Sequence, residues 1–244
     1  MVELLDLALP AAAYLIGVHR LRRTGGTWPA WRIAAFAAAL VAAVLVTSGG
    51  VDRRARDSLA WHMTQQMTLL VLVPPALLAS RPVALFRAAT GSAGGGRLPN
   101  PAAAWLAFVA IQWVVHIPAV LDRLVREPAL NGVVHWLFVV AGAAFFVQAA
   151  PWAGSRLPPL VLALYLASAM PTTDGIAIWL MLDPHVIYFS FAGPGALADQ
   201  RAAGFVMFAA GNVILVAAAW VAGRWLWREW SSDVGRAPAG LSRR

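Results

Sequence analysis

Few folds are open to a chain that must repeatedly cross a hydrocarbon layer, and this chain has seven stretches of the length such a crossing requires. A helix needs about 20 predominantly apolar residues to span the hydrocarbon. Within that layer its backbone N–H and C=O groups must be satisfied inside the segment, which a helix does. The seven stretches are roughly 3–19, 30–48, 58–80, 101–121, 130–150, 158–182 and 202–223. Over 244 residues the chain is 60% hydrophobic and only 12% charged, where a soluble domain is about a quarter charged. The expected fold is therefore all-α: a polytopic membrane protein, a seven-transmembrane-helix bundle forming one domain over 1–230. A polar, Arg-rich tail over 231–244 is expected to be disordered in the cytoplasm.

Gly- and Pro-rich punctuation separates the stretches: "RTGGTWP", "SGGVDRRARD", "DRLVREP" and "PWAGSRLPP", with "RPVALFRAATGSAGGGRLPNP" as the longest loop. "DPHVIYFSFAGPGALADQ" carries enough aromatics to lie in the membrane interface. The sixth stretch is interrupted by "MPTTDG". Acidic Glu3 and Asp6 lie at the start of the first stretch and Arg20, Arg22 and Arg23 follow it, the reverse of a secretory signal, so this helix is expected to be kept. All 19 basic residues are arginine. An N-out, C-in arrangement puts thirteen of them inside and six outside (Arg53, Arg54, Arg56, Arg123, Arg126 and Arg201), as the positive-inside rule asks. The outer "VDRRARD" is the one awkward segment.

That orientation gathers the histidines. His62, His116, His135 and His185 fall at the outer side, while His19 sits on the inner side beside Arg20. Met63 and Met67 are four residues apart and share a helix face, as do His62 and Gln66. The short "DRLVREPALN" link makes the fourth and fifth helices antiparallel neighbours and brings His116 and His135 to similar heights. The chain has no cysteine, so any metal is left to imidazole, thioether, carboxylate or carbonyl groups. Imidazole with thioether suits copper, Cu(I) especially; imidazole alone also suits zinc or haem iron. Against this stands the plainer role of each buried polar side chain as a hydrogen-bonding link between helices, and of methionine as packing filler.

Two more polar features lie in the outer half. Asp199 and Gln200 open the seventh stretch, where Asp199 is either a helix cap or an acceptor that orients an imidazole. Asp174 lies in the "MPTTDG" interruption, either as a cap or as a functional intramembrane carboxylate. The chain has no nucleophile elbow, no H-E-x-x-H, no P-loop and no dinucleotide fingerprint. It has no internal repeat of the secondary-transporter kind and no basic stripe interleaved with aromatics. A hydrolase, a nucleotide-driven pump and a nucleic-acid binder are therefore not expected.

The stretch "HMTQQMTLLVLVPPALLASRP", the element "VVHIPAVLDRLVREPALNGVVHWLFVVAG" and the run "LADQRAAGFVMFAAGN" together resemble the CtaG family of bacterial cytochrome c oxidase assembly proteins. That family shows H-M-x-x-H-M at the mouth of its third span and L-x-D-Q-x-x-A-G-x-x-M-W at its seventh. The resemblance covers about 58–215 and implies a seven-span protein of the plasma membrane linked to copper. Carried over residue by residue, it implies His62, His116, His135, Met63 and Met67 around the metal, with Asp199 and Gln200 behind them. Gln66 stands where the family has its second histidine, and an amide carbonyl is a poor ligand for Cu(I).

The expected function is thus copper binding and assisted delivery to an oxidase subunit, with a periplasmic copper carrier as a further possible partner and no turnover chemistry. Two alternatives stay open. One is a haem-binding electron-transfer protein with two imidazoles on the iron; the other is a metal-free assembly scaffold.

Overall fold

The computed structural model describes residues 2–92, 98–150 and 157–235, with side chains throughout these except at 2–7, 229–230 and 232–235. Among the described residues every regular element is helical. The chain opens with α1 (Val2–Arg23) and α2 (Ala30–Thr47). Short α3 (Gly49–Asp57) buries Ala55 and exposes Arg53, Arg54 and Arg56. Then α4 (Leu59–Met67), a wide π-type turn (Thr68–Leu72), α5 (Val73–Ser80) and α6 (Pro82–Thr90) make one long apolar run. The wide turn has a local cause. Pro74 and Pro75 have no N–H, so the carbonyls of Leu70 and Val71 lose their i+4 donors and the ladder loosens.

Helix α7 (Pro101–Val115) begins on Asn100, whose side chain accepts from the N–H groups of Ala102 and Ala103. It stops at His116, and α8 (Pro118–Arg126) leaves at 79°. Pro118 explains the elbow, because the residue before a proline is pushed out of the helical region, and Ile117 is extended at φ −61°, ψ 123°. Helices α9 (Pro128–Phe146), α10 (Pro159–Ala167), α11 (Met170–Leu182) and α12 (Ala196–Gly235) follow. Helix α12 packs on α11, α10 and α4; α5 lies between α2 and α9; and α7 packs along α9. In the centre Phe108 stacks on Phe145 at 4.2 Å, and Phe145 on Tyr165 at 4.8 Å. At Gly142 the backbone of α9 lies against the Leu70 carbonyl and the Pro74 ring, so the wide turn is also a point of close approach between two helices.

The expectation of a helical membrane bundle holds. Among the described residues, five helical runs are long and apolar enough to cross a membrane, six when the bent α7–α8 pair is taken as one span. The expected stretch 3–19 lies in α1, whose first side chains are outside the described residues. The fourth stretch, 101–121, does not run straight, because Pro118 bends it. The "MPTTDG" interruption is displaced. The chain breaks earlier, at Ser168–Ala169, and Pro171 occupies the opening turn of α11, where its missing N–H costs nothing. The last helix continues to Gly235, past the boundary expected at 230; residues 236–244 of the expected tail lie outside the described residues.

Candidate metal centre

The polar mouth of α4 is built from three directions. Ser58 caps the helix, its Oγ accepting from the Trp61 N–H at 3.3 Å. Asp199, in the first turn of α12, accepts from the Ser58 hydroxyl at 2.6 Å and from the Leu59 N–H at 2.5 Å. Asp199 is thus a cap for a different helix; it accepts neither from its own helix end nor from an imidazole. It pins the helix that carries His62 and Met63.

His62 is 2% exposed. Its Nδ1 lies 3.2 Å from the carbonyl of Ala55 on α3. A carbonyl only accepts, so Nδ1 donates, and the Nε2 lone pair is left to accept from the Gln66 amide at 2.9 Å. The Gln66 Oε1 atom is then buried without a partner. Phe191 lies beside the His62 ring, with centroids 5.8 Å apart.

His116, also 2% exposed, sits at the α7–α8 elbow. Its Nδ1 donates to the Gln112 carbonyl at 2.7 Å, which leaves Nε2 as a lone pair 3.2 Å from the sulfur of Met63. Neither atom carries a hydrogen for the other. Two soft or borderline Lewis bases therefore converge in a fully buried place, the arrangement expected around a soft cation. The setting is braced: Thr173 of α11 donates to Gln112 Oε1 at 3.1 Å, and Tyr188 donates to the His116 carbonyl at 3.1 Å.

His135 on α9 is 6% exposed, and its Nε2 has no hydrogen-bond partner. Among the described residues no three His, Cys, Asp or Glu side chains gather closely enough to hold a metal ion by themselves, so thioether and amide groups stand beside the imidazoles: Gln66 at His62 Nε2 and Met63 at His116 Nε2. Met67 is buried in the core one turn beyond Met63. Of the three buried histidines, His135 lines a cavity of about 800 Å³ between α2 and α9, and His62 lines a much smaller one beneath α3.

The remaining polar candidates make other contacts or none. Gln200 accepts from the Ile187 N–H at 2.9 Å and donates to the carbonyls of His185 and Leu180, holding the loop after α11 against α12. His185 is exposed in a turn closed by Asp183, which accepts from its N–H at 2.9 Å. That bond, with the Trp179 indole, holds the Asp183 carboxyl below the usual range. The Oδ1 of Asp174 is buried without a partner in α11, facing Gly211 of α12.

Several site residues gave no signal in the sequence. Tyr188 and Phe191 belong to a loop expected in the membrane interface, yet Tyr188 is fully buried over His116 and Phe191 packs on His62, while Phe189 is the exposed neighbour. Asp122 of α8 tethers that loop by accepting from the Ser190 N–H at 2.8 Å.

A family model described as cytochrome c oxidase caa3 assembly factor (Caa3_CtaG) matches residues 12–229. The chain belongs to that family. Caa3_CtaG membership covers every residue of the centre described above. Two mycobacterial relatives are similar to parts of the chain. The uncharacterized protein ML1998 of Mycobacterium leprae is 33% identical over 138 residues, covering 57% of this chain and 19% of its own length. The uncharacterized protein Mb0105 of Mycobacterium bovis is 27% identical over 155 residues, covering 56% of this chain and 23% of its own. The chain thus spans about a fifth of the length of these curated relatives. No solved structure matches it.

Proposed function

We propose that this Caa3_CtaG protein holds Cu(I) as cargo between His116 Nε2 and Met63 Sδ and passes it on during assembly of a cytochrome c oxidase. One contact carries the reading: two lone pairs, with no hydrogen between them, meet at 3.2 Å in a buried place. His62 joins as a third ligand when the Gln66 amide rotates away from its Nε2, an exchange favoured by the unpartnered Gln66 Oε1. His135 and Met67 serve as neighbouring stations for the ion as it moves. Asp199 and Gln200 act through the backbone, fixing α4 and the loop over the centre. The role is one of holding and handing over, without turnover. The site faces outward in the plasma membrane under the N-out, C-in arrangement, and the recipient is an oxidase subunit or a periplasmic copper carrier.

The test is Cu(I) competition with a chromophoric chelator on the detergent-purified full chain, beside Met63→Leu and His116→Ala. Even the outer hydrogen-bond partners of metal ligands contribute roughly 10–100-fold in affinity, so each variant is expected to lose at least about tenfold. A wild-type chain that takes up no Cu(I), or variants that bind as it does, would sink the copper reading in favour of a metal-free scaffold. A Soret band in the purified protein would instead support haem.

A further inference from the structure

We infer that the half-open groove between α2 and α9 is a binding site for one anionic phospholipid, with its headgroup on α3 and an acyl chain along the groove. The cavity is about 800 Å³. Phe36, Ala39 and Ala43 of α2 form one wall, and Gly132, Trp136 and Val139 of α9 form the other. Its α2 lining runs from Phe36 to Thr47 and its α9 lining from Pro128 to Val139, which at 1.5 Å per residue is about 16 Å for each. A hydrocarbon core of about 30 Å gives each leaflet about 15 Å. Both walls therefore match one leaflet, the reach of an acyl chain. A partner's membrane helix would need the full thickness and a width of about 10 Å.

One end of the groove is polar. Gly49, Asp52 and Arg56 of α3 line it, and helical spacing puts Arg53 on the same face. Arg56 bonds Asp52 at 2.7 Å through one nitrogen and has its side chain 56% exposed, leaving further N–H donors of its fork for a phosphate. This gives a use to the "VDRRARD" segment, whose arginines run against the expected charge asymmetry. Arg54 points elsewhere, its guanidinium 5.2 Å from the Trp61 ring centre. The inference does not depend on copper.

The test mixes the purified full chain with vesicles of equal parts phosphatidylglycerol and phosphatidylcholine, then counts lipids retained per chain by native mass spectrometry. The wild type is expected to retain one lipid. Each arginine near an anionic headgroup contributes enough that two of them favour phosphatidylglycerol roughly thirtyfold. Arg53→Gln/Arg56→Gln should abolish that preference, and Arg54→Gln should keep it. A Cβ added at Gly132 meets open space, so Gly132→Leu projects into the groove and should lose the lipid while the chain still melts in one cooperative transition. The inference is overturned if the wild type shows no headgroup preference, or if Gly132→Leu retains lipid as the wild type does. It is equally overturned if a photo-crosslinker in place of Gly132 captures a polypeptide rather than lipid.

Discussion

Asp199 offers the sharpest test of how the metal centre is held. Its carboxylate accepts from the Leu59 N–H and the Ser58 hydroxyl, about 140 residues away in sequence, and so closes the first turn of α4. Replacing it with alanine leaves that N–H and a helix N-terminus without their anion. Hydrogen bonds to a charged group contribute about 1.5–3 kcal/mol each. Asp199 is only partly buried, which moves the pair toward the low end, about 2 kcal/mol together, in line with the cost of about 0.5–2 kcal/mol for losing a helix cap. In a chain of this size that is a fall of about 4–8 °C in melting temperature. Asp199→Asn keeps an acceptor for the N–H and should lose less than half as much. The assay is thermal unfolding of the detergent-purified protein, with Cu(I) competition run in parallel. Because His62 and Met63 lie within the next turn, Asp199→Ala should also weaken copper retention. If Asp199→Ala melts within about 1 °C of the wild type, the α4 terminus is satisfied by something else and the bracing argument fails.

Other expectations follow from single contacts. Gly142→Ala drives a methyl group into the Leu70 carbonyl and the Pro74 ring, so it should cost about 1–3 kcal/mol by overpacking, whereas Gly132→Ala, in open space within α9, should hold or slightly raise the melting temperature. Gln66→His removes the amide that occupies His62 Nε2 and adds an imidazole; Cu(I) competition should show tighter binding than in the wild type. Tyr188→Phe deletes the bond to the His116 carbonyl and should lower stability by about 0.5–1.5 kcal/mol, read by the same melting assay.

The Pro118 elbow and the 188–191 loop show where reading the chain stops. The proline at 118 is plain in the sequence, and its effect on the preceding residue is local chemistry. What it does to His116 is not local: the helix ends at that residue, its Nδ1 turns back to Gln112 and its Nε2 is aimed at α4. Likewise, an interfacial loop of aromatics was a fair expectation from composition. Only packing sends Tyr188 inward and Phe189 outward.

The sequence alone determined that the chain is a bundle of apolar helices with a polar rim containing His62, Met63, Gln66, His116, His135, Asp199 and Gln200. Transfer of apolar side chains, proline stops and glycine exits are properties of a residue and its near neighbours, so they can be read along the chain. Tertiary structure alone decided which of those polar groups meet. One residue along a helix turns the side chain by about 100°, so a small rotation of α4 chooses whether His116 faces Met63 or His62. That rotation is set by contacts made far away in sequence. Asp199 pins the end of α4, Gly142 admits the Leu70 carbonyl, and Tyr188 closes over the elbow.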